Sequence, residues 1–157
     1  MRFLVLAGLT VVNALNTGGE NTMYKPQYFE NEAHRHFYQT VCSRYGFEAG
    51  NDSYHCALVY CIGAAETLRR HWDSLYDPLE RTINPKALHA SFITHESGRL
   101  LRLAYDLFHG GPVLYDTYYT DAEKQLMSCT ASSLFAGDML EVKLEAVRIR
   151  FGFEVSI

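Results

Sequence analysis

The chain has 157 residues, 48% of them hydrophobic, and a net charge of −4. That length suits one core rather than two, and the acidic balance removes the overall basic field that draws a protein to nucleic acid through counterion release. No apolar run approaches the roughly 20 residues that a membrane-spanning helix needs.

Residues 1–22 admit two readings. Arg2 followed by the apolar stretch Phe3 to Val12 has the charged and apolar parts of a secretion signal, with small residues around Ala14 for cleavage. Gly18-Gly19-Glu20, however, can be encoded by a purine-rich run that resembles a bacterial ribosome-binding site just before Met23. On that reading residues 1–22 are a translated non-native leader, and residues 23–157 form a single helical domain. We favour it, because Cys42, Cys56, Cys61 and Cys129 do not form the pattern of a small secreted disulfide framework and suit buried thiols in a reducing cytosol. A cytoplasmic protein is expected, with secretion as the alternative. The leader reading also expects residues 1–22 to make few contacts with the fold.

Tyr24 to Glu30, with Pro26, reads as an extended lead-in. Asn31 is a good N-cap for a helix over 31–45, with Glu32 in the first turn and Gly46 as the stop. Tyr54, Leu58, Cys61, Ala65, Leu68, Trp72 and Leu75 then draw one stripe at alternating spacings of four and three. Its phase survives Gly63, which predicts one long helix over 52–76, ended by Asp77-Pro78. Asn84-Pro85 opens a short helix through His89. Thr94 caps another, with Leu100, Leu101, Ala104, Leu107 and Phe108 inward and Arg99, Arg102 and Asp106 outward, stopped by Gly110-Gly111-Pro112. A tyrosine-rich loop over 113–119 follows, and Thr120 to Glu123 makes a capping box. The C-terminal piece carries a strand-like alternation and a helical stripe of Leu140, Leu144, Val147 and Phe151. With Asp138 and Glu141 as a capping pair, a helix over 137–151 is favoured, and a two-stranded C-terminal hairpin is the alternative. The expected fold is mainly α, one compact domain of about five to six helices.

The chemistry-bearing residues form no strong motif. His34 and His36 sit two apart on a helix and point to nearly opposite sides, so they cannot share a metal. His55 and His71 fall on different faces, and no metal or cofactor is expected. There is no G-x-S-x-G, no P-loop and no dinucleotide fingerprint. The unbroken stripe argues against a helix-turn-helix, so nucleic acid is not an expected partner. Arg69, Arg70 and His71, and separately Arg99 and Arg102, make two short cationic clusters. Were these to converge, His34, Arg70, His71, Arg99 and Arg102 would be the candidate site for an anionic ligand such as a nucleotide.

Tyr54 to Gly63, followed by Arg69-Arg70-His71, resembles the central motif of an uncharacterised domain family of small helical proteins from Firmicutes, their phages and mobile elements. Asn31 to Tyr38, Arg102 to Gly110, Tyr119-Thr120 and Glu145 to Phe151 are similar to it as well. The likeness covers roughly Phe29 to Phe151 and departs at Ile93 to Ser97. It implies a cytosolic phage or mobile-element setting and no known activity. Two functions follow as expectations. One is a non-enzymatic accessory protein that binds a host macromolecule, for instance to inhibit a defence system. The alternative is a nucleotide-binding or sequestering protein, or a hydrolase, using the Arg/His cluster.

Overall fold

In the computed structural model, which describes residues 24–109 and 130–152, the lead-in is extended and Asn31 starts the first helix. Its side chain accepts the His34 backbone N–H at 2.9 Å, and α1 (Glu32–Tyr45) ends where Gly46 turns left-handed and donates to the Cys42 carbonyl. α2 (Ser53–Ala64) is capped by Asp52. Every residue from His55 to Ala64 is buried, because this run is apolar on all sides and needs neighbours on all sides. α1, α5 (His95–His109) and α7 (Leu140–Phe151) supply them.

The predicted long helix is not continuous. Ala65 steps into extended geometry (φ −104, ψ 127), and the chain resumes as α3 (Glu66–Arg70) and α4 (Trp72–Leu75), separated by His71. Leu68, Trp72 and Leu75 of the stripe are still buried, since the redirected chain folds back so that Trp72 meets Phe37 and Tyr45 of α1. Periodicity records burial, and burial survives a change of direction. Arg69 reaches back and donates to the Gly63 carbonyl at 2.6 Å, where the α2 ladder ends.

A small antiparallel hairpin follows, β1 (Tyr76–Asp77) with β2 (Thr82–Ile83), in the register Tyr76 to Ile83. Asp77 accepts the N–H groups of Leu79 and Glu80, and Arg81 closes the turn at φ 53. A 3-10 helix (Pro85–His89) leads to α5, whose start is a reciprocal pair: Thr94 Oγ1 accepts the Ser97 N–H and Ser97 Oγ accepts the Thr94 N–H. α6 (Ala131–Phe135) and α7 complete seven α-helices among the described residues.

α7 corrects the expectation for the C-terminus in three ways. It begins at Leu140 rather than Gly137, because Gly137 and Met139 are both left-handed. The Asp138/Glu141 capping pair is not used, as the N-cap is Met139 with no side-chain bond. The hairpin alternative fails there, since Leu140–Phe151 is helical, and the hairpin found among the described residues lies at Tyr76 to Ile83. No helix among the described residues is long and apolar enough to cross a membrane. The expectations for residues 1–22, Gly110 to Pro112, the 113–119 loop, the Thr120 capping box, Cys129 and the tail after Gly152 lie outside the described residues.

Candidate functional site

The predicted site residues are held by separate local partners. His34 is fully buried between α1 and α2. Its Nε2–H donates to the Tyr60 carbonyl at 2.8 Å and its Nδ1 accepts the Glu30 N–H at 3.2 Å, so both ring nitrogens are used in the neutral form. Burial pushes its pKa down to about 4, against the Tyr60 hydrogen bond, which opposes the shift. Arg70 is exposed and pairs with Glu66 one turn back. His71 donates from Nδ1 to the Thr67 carbonyl at 2.8 Å and stacks on Phe92 with ring centroids 3.7 Å apart. Arg99 pairs with Glu96 at 3.6 Å, and Arg102 is half-buried three residues further along α5.

A cleft of about 340 Å³ opens beside these residues, where the lead-in, the α2/α3 step and the start of α5 meet. Glu30, Glu66, Arg69, Thr94 and Glu96 line it. Its charges are compensated internally. Arg69 is spent on Gly63, Glu66 on Arg70, and Glu96 on Lys143, whose Nζ lies 2.9 Å from Glu96 Oε1 and 2.8 Å from the Ala136 carbonyl. With its guanidinium already bonded to a carbonyl and two of its three carboxylates paired with cations, the cleft offers an anion little attraction.

The sequence reading missed a network on the other end of α2. Asp52 Oδ1 takes His55 Nδ1 at 2.6 Å and its Oδ2 takes Arg81 at 3.0 Å, while His55 Nε2 meets the Tyr76 hydroxyl at 2.8 Å. Phe47 stacks on the imidazole at 4.3 Å. A carboxylate-oriented imidazole on a phenol has the connectivity of a proton relay. Burial pushes the Tyr76 phenol up to about 12, Arg81 opposes this and Asp52 adds to it. Tyr76 is only 1% exposed, so the arrangement locks the hairpin to α2 and offers no substrate a path. The available signal was Asp52 three residues before His55, the spacing of an N-cap. Among the described residues no group of three His, Cys, Asp or Glu side chains is placed to hold a metal ion, and Cys42, Cys56 and Cys61 are free and buried.

α7 shows the least expected arrangement. Its buried side carries Val142, Lys143, Glu145, Ala146 and Ile149. Glu145 accepts from the Tyr24 hydroxyl at 2.7 Å, the Gln27 N–H at 2.6 Å and Arg148 at 3.0 Å, which pins the lead-in to the helix. The stripe that reads as its apolar face is turned outward: Leu140 is 46%, Leu144 36% and Phe151 53% exposed, with Val147 partly covered. Tyr28 and Tyr54 are also exposed rings, and Arg150 of α7 lies over the Tyr54 and Phe151 rings.

Comparison with known proteins gives no match among curated proteins or solved structures. Residues 24–157 match a family model, and the chain thereby belongs to a family of unknown function, DUF6075.

Proposed function

We propose that the protein is a non-enzymatic interaction module that docks a helix of a partner protein on the outward face of α7. The observation that supports this is the inversion of α7, with Leu140, Leu144 and Phe151 outside and Lys143 and Glu145 inside. Covering such a face returns about 25 cal/mol for each Å² of apolar surface removed from water, and contiguous apolar stripes on a surface mark binding sites more often than isolated residues do. The phage or mobile-element setting suggested by the sequence motifs extends the proposal to a host protein as target, a component of a defence system among the options.

The test is capture from a host lysate with tagged wild-type protein and an L140E/L144E variant, both confirmed folded by circular dichroism. One protein recovered stoichiometrically by wild type and lost from the variant is the expected result. Equal recovery by both would remove the α7 face from the proposal, and recovery by neither would remove the interaction role. The competing small-ligand reading, which rests on Arg70, His71, Arg102 and their neighbours, predicts a thermal shift with nucleotides, because ligand at 100 times its Kd adds about 2.7 kcal/mol.

A further inference from the structure

We propose that in the free protein the α7 face is covered by α7 of a second copy, packed antiparallel about a twofold axis. This rests on the reading of α7 as a docking face and adds the identity of one occupant. Glu141 and Arg148 are one heptad apart and share one flank of the Leu140–Leu144–Val147 stripe, near its opposite ends. In a twofold antiparallel pair like flanks face each other with their ends reversed. Glu141 of one copy therefore meets Arg148 of the other, and the same pair recurs across the axis, as an isologous interface requires.

The charges are suited to this. Glu141 is exposed, and Arg148 is held in place by Glu145 at 3.0 Å with a third of its side chain in solvent. A guanidinium has five N–H donors, so the Glu145 bond does not exhaust it. The axis then falls beside Leu144, where the two leucines cover each other. α7 is only 12 residues long, so the contact is short and the dimer should dissociate on dilution. A host helix would compete for the same surface.

Light scattering across a dilution series of the full chain tests the assembly. Twice the monomer mass at high concentration, falling to the monomer mass on dilution and absent in L144E, is expected. E141R, which sets Arg against Arg across the axis, should weaken association about tenfold. Cysteine mapping tests the register. L144C should form an intermolecular disulfide under mild oxidation. L140C should not, because its two copies lie roughly 14 Å apart along the axis and a disulfide needs Cα atoms within about 7 Å. Wild type treated in the same way controls for the native cysteines.

A wild-type monomer at every concentration overturns the dimer. Crosslinking through both positions, or E141R associating like wild type, overturns the antiparallel pairing. If the monomer result comes with host capture that L140E/L144E abolishes, the docking face stands without the dimer. If capture is unaffected as well, both fall.

Discussion

A methyl group at Gly63 would come within 2.9 Å of Phe37 Cδ1 and 3.0 Å of His34 Cδ2. Alanine in a helix interior is ordinarily worth about 1 kcal/mol over glycine, but here α1 and α2 cross too closely to admit it. G63A should therefore lower stability, by about 1–3 kcal/mol in denaturant melts; a stabilised variant would mean that the crossing is looser. His34, beside it, makes stability depend on pH. Its folded pKa of about 4 lies below the usual imidazole value of 6.5, so the neutral ring's contribution is complete above pH 6.5 and is lost as pH falls towards 4. The loss reaches about 3 kcal/mol. H34Q should have a flatter acid limb over that range, and equal slopes in the two proteins would rule this account out. The sequence showed that His34 and His36 diverge, one of them now buried and the other exposed. It did not show which one faces Tyr60.

At the level of elements, the ends with a side-chain signal were legible and those set by packing were not. Asn31, Gly46, Pro85 and Thr94 mark their boundaries to within a residue, since each acts on backbone groups a few positions away. The step at Ala65 has no such signal, and neither does the left-handed Met139. Asp52 combines both kinds of control, capping α2 while orienting His55 and Arg81. D52A should cost about 2–3 kcal/mol, since it removes a cap and strands the His55 Nδ1–H. D52N should recover the part due to the cap. Urea midpoints with an unchanged m-value would measure the difference, and no difference between D52A and wild type would sink the network.

For the whole molecule, the α5–α7 contact depends on a buried lysine. Lys143 has no solvent exposure and links Glu96 of α5 to the Ala136 carbonyl. Loss of one partner from a buried pair costs 3–5 kcal/mol, but Glu96 is partly exposed and keeps Arg99 nearby. K143M should thus cost about 2–3 kcal/mol, read as a lowered melting temperature. An unshifted melt would mean that the ammonium contributes nothing net. By itself the sequence determined a single, mainly helical domain, the caps at Asn31 and Thr94 and the burial of the stripe from Leu58 to Leu75, because local hydrogen bonds and apolar spacing are properties of the chain. Only the tertiary structure decided that the long stripe breaks at Ala65, that His71 stacks on Phe92, and that α7 turns Lys143 and Glu145 inward and its leucines out. Each of those choices depends on a residue distant in sequence, Phe37, Phe92, Glu96 or Tyr24, and periodicity carries no information about which distant group will be there.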